Sequence, residues 1–192
     1  EPETCKKIKP DGILLADSGG QYKDGTTDIT RTFALSAPTN DQKKSYTLIL
    51  KGMIALSMAK FPEGTTGAQL DTLARQFLWA EGLNYGHGTG HGVGFFLNVH
   101  EPPQGFAPVH SERGRTVQLP GMLTSNEPGF YKEGEYGMRI ENLIVCNEPD
   151  QDGFLSFETL TLYPFDVHLI EQRMLTPTEI KWMNEYHDMV YE

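Results

Sequence analysis

Two pairs of carboxylates are arranged symmetrically about turn-forming stretches of this sequence. Asp17 and Asp28 are centred on residues 22–23, between an apolar run at residues 12–17 and a Thr- and Ile-rich run at residues 27–35. The two runs predict a β-hairpin. Directly opposed residues in an antiparallel pair point to the same face, with Cβ atoms about 4.5–5.5 Å apart. Both carboxylates can then serve one centre, although alone they also fit ordinary turn or edge acids.

The second pair repeats this arrangement later in the chain. Glu127 and Glu141 are centred on Gly134, and Glu141 lies in the mostly apolar run MRIENLIVC, where an unpaired acid is costly. Arg139 has the same strand parity as Glu141 and therefore lies on the same face. A simple surface pair between Arg139 and Glu141 is the alternative interpretation.

A glycine-rich segment, GHGTGHGVG at residues 86–94, carries two histidines. Five of its nine residues are glycine, so a helix is disfavoured and the backbone can approach another group closely. His87 and His91 share one face if this segment is extended. The spacing matches neither G-x-G-x-x-G nor a P-loop, so a nucleotide-binding loop is disfavoured. We therefore interpret the histidines as site residues rather than as core residues.

These three elements together supply four carboxylates and an imidazole. Such a ligand set favours Mn, Co, Fe or Zn over a thiolate-type site. So many acids in one place repel one another, and two bridged divalent ions about 3.5–4 Å apart would neutralise them and activate a water molecule.

The elements that must position these residues are predicted from periodicity and capping signals. Thr39 with Gln42 predicts the start of one helix, and Thr66 with Gln69 the start of another, which Gly82 ends. Thr-Pro-x-Glu at residues 176–179 begins a last helix that extends to about residue 190. The remaining predicted strands lie at residues 121–127, 137–146 and 154–163. Strand pairs alternating with helix pairs indicate an α+β fold.

Length and composition limit the classes of protein. The 192 residues suit a single domain, 1–192, and the apolar content of 38% is typical of a globular chain. A net charge of −10, with only a small basic cluster at Lys6, Lys7 and Lys9, argues against nucleic acid as a partner. No apolar run approaches the roughly 20 residues that span a membrane. Cys5 and Cys146 suit a reducing compartment.

Four runs resemble the metallopeptidases of the pita-bread fold: DSGGQYKDGTTDITRTF, GHGTGHGVGFFLNVHEPP, NEPGFY and MRIEN. That family includes aminopeptidase P, prolidase, methionine aminopeptidase and creatinase. The resemblance extends from about residue 11 to residue 191 and is strongest to the cytosolic eukaryote-type Xaa-Pro aminopeptidases. It implies removal of an N-terminal residue from peptides that have proline in the second position, and a cytoplasmic location.

The resemblance also implies roles for individual residues. Two divalent ions, of which Mn is expected and Co, Zn or Fe are possible, would be held by Asp17, Asp28, His91, Glu127 and Glu141, with Asp28 and Glu141 shared. A bridging hydroxide would attack the scissile carbonyl. The residues that would transfer the proton, contact the substrate or orient a metal-binding acid are His87, His100, Glu127 and Arg139.

The sequence departs from the family's pattern at its start. Only 16 residues precede Asp17, none of them is histidine, and the first residue is Glu1 rather than Met. We therefore expect an N-terminally incomplete catalytic domain with weak activity or none. Apolar residues that upstream elements would cover should then be exposed and favour self-association or binding to the missing N-terminal segment; the candidates are Ile13, Leu15, Ile29 and Phe33.

Several other functions fit parts of the sequence. Asp17-Ser18-Gly19-Gly20 resembles the loop around a serine-protease nucleophile, but no histidine precedes Ser18, as chymotrypsin-type enzymes require. A pita-bread protein that has lost its metals and binds peptides or proteins is the main non-enzymatic alternative. Prolidase and methionine aminopeptidase are the alternatives among the enzymes.

Overall fold

The computed structural model describes residues 3–5 and 7–192, so Lys6 of the predicted basic cluster lies outside the described residues. It contains nine strands, four α-helices and two short 3₁₀ turns at Val167–Leu169 and Gln172–Met174. The strands are β1 Ile13–Ser18, β2 Ile29–Ala34, β3 Phe61–Pro62, β4 Leu123–Asn126, β5 Gly129–Lys132, β6 Tyr136–Arg139, β7 Asn142–Cys146, β8 Phe154–Leu155 and β9 Phe157–Thr159. The helices are α1 Asn40–Ser57, α2 Gly67–Ala80, α3 Glu112–Arg115 and α4 Pro177–Tyr191.

The first predicted hairpin forms, but its register differs from the prediction. In the antiparallel pair of β1 and β2, Asp17 faces Thr30 rather than Asp28. The chain reverses one residue later than predicted, because Tyr22 donates its N–H to the Gly25 carbonyl at 2.9 Å across the turn. Asp17 and Asp28 are therefore diagonal neighbours. Since the register differs by two residues, strand parity is conserved and both remain on the same side of the hairpin.

The second predicted hairpin has the predicted register but is interrupted. Gly129 faces Arg139 in the β5–β6 pair and Leu123 faces Val145 in the β4–β7 pair, so both ladders are centred on the Gly134 turn. Gly134 has a φ of +74°, which glycine adopts at little cost. The ladder breaks between the two pairs, and Glu127 lies at this break.

Both helix predictions in the first half are confirmed, and α1 forms the centre of the main core. Gln42 donates its backbone N–H to the Thr39 hydroxyl at 3.1 Å, which completes the predicted capping box of α1. The apolar face of α1 is buried, with Tyr46 and Ile49 fully inaccessible to solvent. Gly82, at a φ of +70°, follows the end of α2 as predicted.

The C-terminal elements agree less completely with the sequence. The last helix begins with the predicted Thr176 capping box and ends at Tyr191. The single strand predicted at 154–163 is instead two short strands, β8 paired with β3 and β9 paired with β7. The regular ladder ends at Thr159, because the Leu143 N–H is then taken by the Thr161 hydroxyl at 2.8 Å. The observed mixture of separate strand pairs and helices is the predicted α+β class.

The four apolar residues predicted to be exposed are all half-buried, so the expected exposure is wrong, whereas self-association or binding of an N-terminal segment stays a prediction. Ile13 packs against the core cluster around α1. Phe33 makes an edge-to-face contact with Tyr163 at 6.4 Å between ring centroids. Tyr163, in the C-terminal segment, thus covers part of the apolar surface that was predicted to be exposed. In the part of the chain that the structure describes, no helix combines the length and apolar content needed to cross a membrane.

The glycine-rich segment passes through a narrow gap beside β4. Gly90 donates its N–H to the Phe106 carbonyl at 3.0 Å, and Ser125 donates its N–H to the His91 carbonyl at 2.9 Å. A Cβ atom on Gly90 would lie 1.7 Å from the Ser125 carbonyl oxygen. Glycine is therefore required there by the approach of two backbones, because no rotation of a side chain could relieve that overlap.

We predict that Gly90→Ala displaces His91 from β4 and destabilises the protein by roughly 2–4 kcal/mol, because backbone must move to admit the methyl group. Gly86→Ala is the matched control, since a Cβ atom on Gly86 meets nothing within 4 Å. Chemical denaturation of both variants tests this. Equal stability of the two variants would show that the gap at Gly90 is not tight.

Candidate metal centre and active site

Three predicted metal ligands converge in the structure from separate parts of the chain. Asp28 follows the first turn, His91 lies in the glycine-rich segment, and Glu141 immediately precedes β7. One ligand atom from each lies within 4.8 Å of those of the other two, and His91 and Glu141 are buried. A cation at their centre could contact all three side chains.

Glu127 joins this group through His91. Its Oε1 lies 3.2 Å from His91 Nε2, and Asp28 Oδ2 lies 3.4 Å from the same nitrogen. Ser125 donates its hydroxyl to Glu127 Oε1 at 2.9 Å. Glu127 is therefore held at the edge of the group, on the first residue after β4.

The His91 ring is oriented by its own backbone. His91 Nδ1 lies 2.9 Å from the Gly92 carbonyl oxygen. Because that oxygen can only accept, Nδ1 carries a proton there and Nε2 points to the carboxylates. A histidine whose far nitrogen donates to a carbonyl is the usual arrangement of a metal-ligating imidazole.

Asp17 lies in the same cavity but forms an ion pair with Arg139. This cavity of about 330 Å³ is lined by all five predicted ligands together with Gln21, Thr27, His100 and others. Arg139 Nη2 donates to Asp17 Oδ2. Arg139 is therefore bonded to one of the predicted ligands, and Asp17 lies outside the tight group of Asp28, His91 and Glu141.

Burial and the neighbouring carboxylates shift the pKa values of Glu141 and His91. Burial, followed by the negative charges of Glu127 and Asp28, raises the pKa of Glu141 to about 8. Burial favours neutral His91, but hydrogen bonds to Asp28 and Glu127 outweigh it and raise its pKa to about 10. Protons on Glu141 and His91 would thus neutralise part of the repulsion between the carboxylates, as bound divalent cations would.

The two remaining predicted residues line an adjoining cavity. His87, His91, His100, Arg113, Glu127 and Arg139 surround this second space of about 240 Å³. His100 packs edge-on against His91, with ring centroids 4.2 Å apart, and borders both cavities. His87 does not reach the acidic group; its Nε2 instead lies 3.0 Å from the Tyr131 hydroxyl.

Three hydroxyl-bearing residues at the site were not predicted from the sequence. Tyr131 lies between His87 and Arg139, accepting from Arg139 Nη1 at 3.0 Å. Thr30 donates to Glu141 Oε2 at 2.6 Å, and Ser125 supports both Glu127 and the backbone of His91. Tyr131 faces Gly137, two residues from Arg139 on the partner strand, so strand register places Tyr131 and Arg139 on one face and is the signal that predicts it.

The donors fit divalent metal ions. Carboxylate oxygens and one imidazole nitrogen are the ligands that Mn, Co, Fe and Zn accept. Thr30 and Gly92 fix the orientations of Glu141 and His91, as outer-layer partners do in metal sites.

Two protein-family models match the region of the chain that contains this site. The model of metallopeptidase family M24 matches residues 1–148, and that of the C-terminal region of peptidase M24 matches residues 153–192. The first match includes all five predicted ligands.

Curated fungal proteins are about half identical to this chain. A probable Xaa-Pro aminopeptidase P of Tuber melanosporum is 51% identical over 198 residues, covering 100% of this chain and 32% of that protein. A probable Xaa-Pro aminopeptidase P of Botryotinia fuckeliana is 50% identical over 197 residues, covering 100% of this chain and 30% of the relative. The chain thus spans about a third of the length of these relatives.

Solved structures share the fold. The X-prolyl aminopeptidase of Caenorhabditis elegans, described as a cytosolic enzyme with a di-nuclear active site, has a TM-score of 0.86 and 43% identity, covering 93% of this chain and 29% of that one. A dipeptidase of Mycobacterium ulcerans has a TM-score of 0.68 and 32% identity, covering 80% of this chain and 38% of that one. The chain therefore belongs to metallopeptidase family M24, and its α+β architecture is the pita-bread fold of that family.

Proposed function

We propose that this chain supplies the metal centre of an aminopeptidase that removes the N-terminal residue from peptides with proline in the second position. The observation that carries the proposal is the convergence of Asp28, His91 and Glu141, with Glu127 on the same imidazole nitrogen. The similarity to Xaa-Pro aminopeptidases over the whole chain supports the substrate class.

Two divalent ions, of which Mn is the proposed metal, would be held by the five predicted ligands. Asp28 and Glu141 would be shared, Asp17 would complete one position, and His91 and Glu127 would complete the other. Bound there, the ions would act as Lewis acids and lower the pKa of the attacking water. Before Asp17 could serve as a ligand, its carboxylate would have to share or exchange its contact with Arg139.

The protein's own residues would handle the substrate and its protons. Glu127 would accept the proton of the attacking water at a carboxylate oxygen and pass it to the departing amine. His100, which borders both cavities, would contact the peptide at the scissile bond and help to stabilise the tetrahedral intermediate. His87 would contact the substrate from the second cavity, where Tyr131 fixes its ring. Arg139 would orient the acids through its bonds to Asp17 and to the Thr30 hydroxyl.

Proline in the second position constrains how the substrate is held. The proline nitrogen carries no hydrogen in a peptide bond, so it cannot donate a hydrogen bond to the site. Recognition must then depend on shape and on charges at the peptide's free amino terminus. The acidic cavity around Asp17 and Asp28 offers charges of the opposite sign to that amine.

Dipeptidase activity is a second candidate, because several similar structures are dipeptidases or prolidases. These structures are 32%, 30% and 28% identical to this chain, against 51% and 50% for the Xaa-Pro aminopeptidase P relatives. A metal-free protein that binds peptides would lack ligands, whereas all five line one cavity here. We therefore place aminopeptidase activity first, with peptides as the partners and the cytoplasm as the proposed location.

We expect Asp28→Asn in the full-length protein to lower the affinity for Mn²⁺ about 10-fold or more at both positions, because a shared ligand loses its charge. Asp24→Asn, an exposed acid on the same turn, is the control and should bind as the unaltered protein does. Metal content after equilibration with Mn²⁺ and removal of free ion provides the measurement. Retention of two ions and normal turnover by Asp28→Asn would refute the shared role.

We expect the full-length protein to cleave the first bond of Arg-Pro-Pro in preference to Arg-Ala-Ala and Met-Ala-Ser, measured as kcat/KM with Mn²⁺ present. Preference for Met-Ala-Ser would indicate methionine aminopeptidase, and activity confined to dipeptides would indicate prolidase. Absence of bound metal and of cleavage under metal-replete conditions would support a binding protein instead.

A further inference from the structure

A buried ion pair on α2 is directed towards the histidine segment. Asp71 and Arg75 are each 3% exposed, and Arg75 Nε donates to Asp71 Oδ2 at 2.7 Å. The rest of the Arg75 guanidinium donates to the Asn84 side chain at 3.0 Å, the Tyr85 carbonyl at 2.9 Å and the His87 carbonyl at 2.6 Å. It also lies over the Tyr85 ring, 4.0 Å from its centroid. Outside the pair itself, these contacts all go to the chain that leads into the histidines.

Thr89 extends this arrangement to the metal centre. Its side chain is fully buried and donates its hydroxyl to Asp71 Oδ1 at 2.6 Å, and the Tyr85 hydroxyl contacts Thr89 Oγ1. The Thr89 carbonyl accepts the backbone N–H of Glu127 at 2.7 Å. One residue between the two histidines thus connects the α2 pair with the backbone of a proposed metal ligand.

We infer that Asp71 and Arg75, acting through Thr89, are positioning residues that fix the histidine segment against β4 for the proposed reaction. None of the three lies in the acidic cavity or bonds to a proposed ligand side chain. Their effect is on backbone: Arg75 holds the His87 carbonyl, and Thr89 holds the Glu127 amide. This inference rests on the proposed function for its catalytic consequences, but its structural content is independent of it.

The energetics favour positioning over a purely stabilising role. Desolvation offsets most of the attraction in a buried ion pair, so apolar residues of similar shape often stabilise a core equally well. The remaining donors and acceptors of this pair all reach residues 84–89, so the pair restricts the entry to the glycine-rich segment and its first residues. The glycines make the segment intrinsically permissive, and the pair removes that freedom.

A second buried pair in the same chain provides a control. Lys51 and Glu179 have side chains that are 10% and 11% exposed, with nitrogen and oxygen 2.6 Å apart. Lys51 also donates to the Met174 carbonyl, and Glu179 accepts the Thr176 N–H in the cap of α4. None of these partners lines either cavity of the site. Loss of this pair should therefore affect stability alone.

The test compares Thr89→Val, which keeps the shape of the side chain and loses the hydroxyl, with Thr89→Ser, which keeps the hydroxyl. Both are made in the full-length protein, with Lys51→Met as the control for loss of a buried polar contact. The measurements are amide hydrogen exchange of residues 86–92, Mn²⁺ affinity by calorimetry, and kcat and KM on Arg-Pro-Pro. Arg75→Lys, which cannot reproduce the forked contacts, serves as a second variant if Thr89→Val does not fold.

We expect Thr89→Val to accelerate exchange in residues 86–92 and to reduce Mn²⁺ affinity and kcat about 10-fold to 100-fold, with a smaller change in KM. Thr89→Ser should restore most of the loss, and Lys51→Met should lower the melting temperature without changing the other quantities. Unchanged exchange, affinity and kcat in Thr89→Val would overturn the inference, as would equal losses in Lys51→Met. If the unaltered protein neither binds Mn²⁺ nor cleaves the peptide, the proposed function fails, and the exchange data alone decide whether the segment is positioned in this way.

Discussion

The constraint on which this structure depends is the repulsion between carboxylates held close together in a partly buried cavity. Asp28, Glu127 and Glu141 surround a single imidazole, and Coulomb repulsion between such charges grows as water is excluded. Burial and the charges of Glu127 and Asp28 raise the pKa of Glu141, and hydrogen bonds to Asp28 and Glu127 raise that of His91, so both groups favour a proton that offsets this repulsion. Because like charges tend to move apart, the surrounding structure has to supply the rigidity that keeps these carboxylates together.

Arg31 supplies much of that rigidity between the first hairpin and the C-terminal half. It is 2% exposed on β2 and donates to the Glu141 carbonyl at 2.5 Å, the Asn142 side chain at 2.7 Å and the Tyr186 hydroxyl at 3.0 Å. Burial lowers the pKa of Arg31, which marks the cost of placing a cation there. In return, one side chain fixes the backbone at a proposed metal ligand, the start of β7 and the helix α4. Thr30, its neighbour on the opposite face of β2, bonds the side chain of the same ligand.

The sequence indicates these candidate ligands because each is an acid or a histidine in a context where that residue type is costly or unusual, and their role as ligands stays a prediction. The register about Gly134 was predicted correctly, since the turn lies midway between Glu127 and Glu141 and the observed ladders keep that centre. The register of the first hairpin was predicted incorrectly, because two acids placed symmetrically about a turn do not determine where the chain reverses. The prediction that Asp17 and Asp28 lie on one side of the hairpin still holds, because a shift of two residues conserves strand parity.

The layer behind the ligands could not be predicted from the sequence, and the reason lies in sequence separation. Thr30 and Glu141 are 111 residues apart, and threonine is common in strands whether or not it bonds an acid. An Asp and an Arg four apart on a helix, like Asp71 and Arg75, are typical of a solvent-exposed pair. Only the tertiary structure shows that this pair is buried and turned towards the histidines. The ligand types thus determine which chemistry is possible, whereas these long-range contacts of ordinary residues determine whether the ligands meet at distances that a metal can use.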